Sequence, residues 1–107
     1  MKQMPIVNDP ITDVAARLKQ RFPPHLKRIV LFGSHARGQA SRESDYDLLL
    51  VFDEVTKTVK AELDRFAGDS LLHEGLVLSC IPISEAELER HQFDPFLINA
   101  QKEGILL

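Results

Sequence analysis

Leu31-Phe32-Gly33-Ser34-His35-Ala36-Arg37-Gly38, followed after a short polar gap by Ser44-Asp45-Tyr46-Asp47-Leu48-Leu49-Leu50, is the stretch around which the chain is organised. It reads as a buried strand, a glycine turn opening onto a helical turn, a loop, and a second strand that carries two carboxylates. Gly33 lets the backbone come close to a ligand, because a residue without Cβ tolerates near contact and positive φ. Ser34 offers a hydroxyl and an N–H at a helix start, where free amide donors and the helix dipole favour anions such as phosphate. Asp45 and Asp47 are two residues apart, so on a strand both side chains point the same way. Hard divalent cations take carboxylate oxygens and share their remaining positions with substrate phosphates; the pair therefore suits one or two Mg²⁺ ions bridging to a polyphosphate. The stretch is not a P-loop, lacking the second glycine followed by Lys and Ser/Thr, nor a dinucleotide fingerprint, which needs Gly-x-Gly-x-x-Gly.

Gly33-Ser34, Arg37-Gly38 and Ser44-Asp45-Tyr46-Asp47-Leu48, in this order and spacing, resemble the signature of the DNA polymerase β-like nucleotidyltransferases. Within that superfamily the chain is similar to the minimal nucleotidyltransferase group, small proteins often found as the antitoxin partner of a HEPN-domain toxin. The resemblance implies an α/β (α+β) fold with a small mixed β-sheet and helices packed mainly on one face. It implies a Mg²⁺-dependent transfer of a nucleoside monophosphate, AMP from ATP before any other NTP, to a hydroxyl of a macromolecular acceptor, with a HEPN toxin as the foremost acceptor. Asp45 and Asp47 take the catalytic and metal-binding roles, and Gly33, Ser34, Arg37 and Ser44 the nucleotide-binding ones. Arg37 either adds a charge-assisted contact to the phosphates or pairs with a nearby carboxylate.

The family pattern also carries a third carboxylate on the neighbouring strand. Here that strand, residues 76–83, reads Leu76-Val77-Leu78-Ser79-Cys80-Ile81-Pro82-Ile83 and contains no acid. Ser79 is its only hydroxyl residue and the assigned equivalent, while Glu74 lies just before the strand. Activation of the acceptor is what this departure puts in doubt. The competing reading is a non-catalytic nucleotide-binding antitoxin or interaction module that neutralises its partner by forming a complex.

At 107 residues the chain is expected to form a single domain, 1–107, long enough to bury a core with little room for a second lobe. A net charge of -3 argues against a general nucleic-acid binder, which presents a basic face to phosphates. Cys80, the single cysteine, cannot form an internal disulfide, and no Cys/His group has zinc-site spacing. With no apolar run of membrane length and no signal-peptide pattern at Met1-Lys2-Gln3-Met4-Pro5, the expectation is a soluble, cytoplasmic protein.

Around the motif the periodicities alternate. Asp9-Pro10 supplies a cap and an N1 proline for a helix bearing Ile11, Val14, Ala15, Leu18 and Phe22, stopped by Pro23-Pro24. Strands are expected over 28–32, 45–52 and 76–83. In the second, Asp45, Asp47, Leu49 and Val51 share one face, expected to be open, and Tyr46, Leu48, Leu50 and Phe52 the other. A helix from Glu54 to Phe66 is expected to end near Gly68. Ser84-Glu85-Ala86-Glu87 has capping-box form, and Asp94-Pro95 starts a helix through Glu103, followed by Gly104 and the apolar tail Ile105-Leu106-Leu107. That C-terminal segment is read as packing on the sheet, with an interface to a partner or to a second copy in a homodimer as the alternative.

Other residues have a plainer reading beside the functional one. His35 either touches the nucleotide, following Ser34 as it does, or, the plainer reading, is an exposed histidine at a helix start; Tyr46 reads as core, and Cys80 as a small buried apolar residue rather than a nucleophile. Arg42 and Ser44 either contact phosphate or acceptor or are solvated loop residues. His25, His73 and His91 have no partner pattern.

Overall fold

The computed structural model describes residues 2–3, 10–39 and 45–107. Its elements are β1 (Lys2–Gln3), α1 (Pro10–Arg21), β2 (Leu26–Phe32), α2 (Gly33–Ala36), β3 (Tyr46–Phe52), α3 (Lys57–Glu74), β4 (Leu78–Ser84), α4 (Glu85–Arg90), α5 (Pro95–Glu103) and β5 (Ile105–Leu106). The strands form one mixed sheet in the order β1-β5-β2-β3-β4. β2 runs antiparallel to β3 and β5, whereas β4 is parallel to β3 and β1 to β5. A small mixed sheet with helices is therefore the observed α+β architecture.

The apolar stripe of α1 closes over one sheet face. Ile11, Val14, Ala15 and Leu18 are buried, and with Leu63 of α3 they cover Ile29 and Leu31 of β2 and Tyr46, Leu48, Leu50 and Phe52 of β3. These are the alternate residues that a pleated strand turns to one side. Just past α1, Phe22 meets Phe52 edge-on, with ring centroids 5.6 Å apart.

The opposite face is covered by the short helices. Val30, Leu49 and Leu97 form a second buried cluster, joined by Phe32, Ile81, Ile83 and Leu88. The face that carries the acids is consequently open only at one end, because Leu49 and Val51 lie buried. Asp47 is the one residue of β3 that escapes full burial, so the break in the burial pattern marks where the sheet meets solvent.

Local signals place most of the helix ends. The Ser84 hydroxyl accepts from the Glu87 N–H at 3.1 Å, and the Asp94 carboxylate from the Phe96 N–H at 2.8 Å, as their cap sequences require. Asp9, the cap assigned to α1, lies outside the described residues. Thr56 caps α3 by accepting from the Val59 N–H, so that helix starts at Lys57 rather than at Glu54.

The expected stop near Gly68 is wrong. α3 runs through it to Glu74 and ends on Gly75, whose φ of 67° is the left-handed cap conformation. A glycine inside an exposed helix turn costs about 1 kcal/mol relative to alanine, too little to end a helix that caps properly further on. The tail after Gly104 is also more than packing: Ile105 and Leu106 pair with Leu31 and Val30 as strand β5. A Cβ on Gly104 would overlap Val30 and the Ala100 carbonyl, so the close turn from α5 into β5 requires glycine there.

Candidate active site

The motif occupies one end of the sheet, where β2 ends, α2 begins and β3 starts. Phe32 lies opposite Asp47 in the antiparallel ladder, and Ser79 lies opposite Asp47 in the parallel one. Asp47 thus projects between an aromatic residue and a hydroxyl on the same sheet face. Asp45 sits one residue before β3, exposed to solvent.

Gly33 follows Phe32 with φ of 75°. A Cβ built on it would overlap Oδ2 of Asp47, so the turn and the carboxylate touch. Positive φ and this contact both demand glycine, and together they join the turn directly to the acidic strand. α2 is a single turn of four residues with no side-chain cap on Phe32. So short a helix adds little dipole, and its first N–H groups have no acceptor within the helix.

Burial pushes the Asp47 carboxyl above its ordinary value, and the neighbouring Asp45 charge pushes it the same way; His35 and Arg37 act against them. Two crowded carboxylates, one of them partly desolvated, form a site that gains from a bound cation. Asp45, Asp47 and substrate oxygens fit a Mg²⁺ ion on donor chemistry. No group of three or more His, Cys, Asp and Glu side chains placed to hold a metal occurs among the described residues.

Arg37 is exposed and reaches Glu103 of α5 through Nη1, 3.3 Å from Oε2, while its Nε donates to Gln39 Oε1 at 3.1 Å. The reading in which Arg37 pairs with a nearby carboxylate thus describes the arrangement seen, although the partner is Glu103 and not one of the motif acids. Neither contact is buried, so the guanidinium can be drawn to a stronger anion at little cost. His35 is not simply exposed: its ring stacks on Tyr46, centroids 3.8 Å apart and planes 14° from parallel. Tyr46 is core, as its strand face implied.

Of the sequence-assigned residues, Gly33, Ser34, Arg37, Asp45 and Asp47 come together here; Ser44 lies outside the described residues, as does Arg42. Glu74 is elsewhere, ion-paired to Arg17 at 2.6 Å between α1 and α3. His25 binds Asp53 at the other end of the β2–β3 ladder. Cys80 is half-buried, and burial pushes its thiol up to about 11, which leaves little thiolate to act as a nucleophile at neutral pH. Phe32 and Glu103 carried no sequence signal, since only strand register and the packing of α5 bring them to the site.

A nucleotidyltransferase domain family model matches residues 11–107. The chain belongs to this nucleotidyltransferase family. Three Methanocaldococcus jannaschii proteins, provisionally named protein adenylyltransferases, are similar to it. The first is 33% identical over 97 residues, spanning 91% of this chain and 93% of the relative. The second is 38% identical over 96 residues, spanning 86% of this chain and 65% of the relative. The third is 32% identical over 82 residues, spanning 76% and 79%. Among solved structures, the toxin–antitoxin MntA–HpeT mutant superimposes with a TM-score of 0.57 at 16% identity, covering 89% of this chain and 69% of that one. The polymerase β-like nucleotidyltransferase fold expected from the motif is thereby found. No helix among the described residues of this nucleotidyltransferase is long and apolar enough to cross a membrane.

Proposed function

We propose that this nucleotidyltransferase transfers AMP from ATP to a hydroxyl on a protein acceptor: the acceptor oxygen bonds to the α phosphorus and gives up its proton, the bond from that phosphorus to the β-phosphate side breaks, and pyrophosphate leaves. The observation that carries the reading is the contact between Gly33 and Asp47, which makes the phosphate-directed turn and the acidic strand one continuous surface. Asp45 and Asp47 hold Mg²⁺, and the ion when bound neutralises charge on the phosphates. The Ser34 hydroxyl and the amides at the start of α2 take the β and γ phosphates. Arg37 moves from Glu103 onto the same oxygens, with Ser44 assigned to the nucleotide by its place in the motif. Orientation and charge neutralisation are what such a transfer asks of a protein, and these groups supply both.

The names of the three archaeal relatives support a protein as acceptor. The toxin–antitoxin neighbour supports a toxin as that protein, and by the motif's resemblance a HEPN-domain toxin is the one to test. A second reading has its own observation: Ser79, not an acid, stands opposite Asp47 on β4. On it, the chain binds Mg²⁺-nucleotide and neutralises its partner by complex formation alone.

Intact mass of the protein encoded beside this one, after incubation with this chain, ATP and Mg²⁺, separates the two. An added AMP on the partner, absent with Asp45→Asn/Asp47→Asn, is the expected result. Complex formation with no mass change, equally strong in the double variant, would replace the transferase by the binding module.

A further inference from the structure

We propose that His35 is a positioning residue of this site, holding the Gly33–Ser34 turn in register with the Asp45–Asp47 strand through its stack on Tyr46; the inference rests on the nucleotidyl-transfer reading above.

The turn has little stability of its own. α2 spans four residues, none of them buried, and one turn of helix lies well below the length at which helices persist unaided. It is held from outside. Ala36 packs against the larger core cluster, and Arg37 ties the far end to α5 through an exposed ion pair of small value. The stack of His35 runs to the acidic strand itself. Tyr46 stands between Asp45 and Asp47 in sequence and turns to the opposite face, where it is fixed in the core with Leu48 and Leu50. Two rings 3.8 Å apart and nearly parallel fix both the height of α2 over the strand and its rotation about its own axis. Rotation of α2 aims the Ser34 hydroxyl and the first amides; height sets the clearance between Gly33 and Asp47, where a Cβ would already overlap. A displacement of about 1 Å in such an arrangement is enough to lose roughly a hundredfold in rate.

A planar ring at position 35 is the requirement, so His35→Phe keeps the device and His35→Ala removes it. Tyr46→Leu removes the other half while leaving a smaller apolar side chain in the core. Calorimetric titration of the full chain with Mg²⁺-ATP, beside titration with Mn²⁺ alone, reads the effect. His35→Ala is expected to weaken Mg²⁺-ATP binding about tenfold relative to wild type and to match His35→Phe in Mn²⁺ binding within about twofold, because both variants remove the imidazole's influence on Asp47 and leave the carboxylates in place. His35→Phe recovers most of the loss, and Tyr46→Leu adds little to His35→Ala, since the two remove one interaction. Equal Mg²⁺-ATP affinity in wild type and His35→Ala overturns the positioning role, as does failure of His35→Phe to recover while remaining folded by circular dichroism. A wild type that binds no Mg²⁺-ATP overturns the nucleotidyl-transfer reading and this inference with it.

Discussion

Replacing Gly33 with alanine separates backbone strain from damage to the site. Two terms act there. The first is φ of 75°, a conformation that costs a residue with a Cβ about 1–2 kcal/mol. The second is the overlap of the new methyl with Oδ2 of Asp47, which forces the carboxylate to swing aside. Because Asp47 is only half-buried, the swing adds little to the folding cost but removes the carboxylate from the place where it meets the turn. Gly75 is the control: its φ is 67°, and nothing lies within 4 Å of an added Cβ. Gly33→Ala and Gly75→Ala should therefore be destabilised alike, each by about 1–2 kcal/mol, or roughly 4–8 °C in melting temperature per kcal/mol for a domain of this size. Mg²⁺-ATP binding should divide them. Gly75→Ala keeps wild-type affinity, whereas Gly33→Ala loses on the order of a hundredfold in transfer or affinity. Melting curves and calorimetric titration on the same preparations read both quantities. Gly33→Ala binding within about threefold of wild type would refute the contact as the basis of the site.

Asp47→Asn tests the electrostatics. A carboxyl raised above its ordinary 3.8 disfavours folding while ionised, so this group's contribution to stability improves as pH falls from neutral through the raised value and levels off below 3.8. An amide at this position does not titrate and has no such dependence; the variant should melt higher than wild type at neutral pH without metal, and should lose the stabilisation that Mg²⁺ gives the wild type. A lower metal-free melting temperature would contradict the assignment. Ser79→Asp places a third carboxylate opposite Asp47, and is expected to tighten Mn²⁺ binding about tenfold and to lower metal-free stability. Unchanged Mn²⁺ affinity would show that β4 does not reach the ion. Arg37→Ala should weaken Mg²⁺-ATP by about tenfold, the worth of a charge-assisted contact, while Glu103→Gln changes stability by less than about 0.5 kcal/mol; a larger effect of Glu103→Gln on denaturant midpoint would make that ion pair structural. Cys80, with its thiol raised to about 11, should hold about one thiolate in a thousand at pH 8 and react with a disulfide reagent far more slowly than free cysteine; complete labelling of folded protein within minutes would contradict that rise.

What could be read from the sequence was what neighbouring residues decide among themselves. The stripe Ile11, Val14, Ala15 and Leu18 specifies a helix face, and Ser84 and Asp94 can cap only the N–H groups two or three residues on. The alternation through Tyr46 to Phe52 sorts one strand into two faces. Such effects act over a single turn or one pleat, so the order and type of elements followed from them, and so did the meeting of Gly33, Ser34, Arg37, Asp45 and Asp47 at the end of two consecutive strands.

Tertiary structure decided whatever depends on partners distant along the chain. α3 passes Gly68 because the left-handed cap at Gly75 and the buried Leu63 outweigh one flexible residue. Ile105 and Leu106, too few to declare a strand, became one by filling the edge of β2. The register of β3 with β2 and β4 put Phe32 and Ser79 on either side of Asp47, and the return of α5 put Glu103 on Arg37. The stack of His35 on Tyr46 is of the same kind: eleven positions separate the rings, and only the packing of α2 against β3 lays one upon the other. A local pattern can state which side of an element is apolar; which side chains then touch is settled by close packing of the whole, where every surface has only one neighbour that fits.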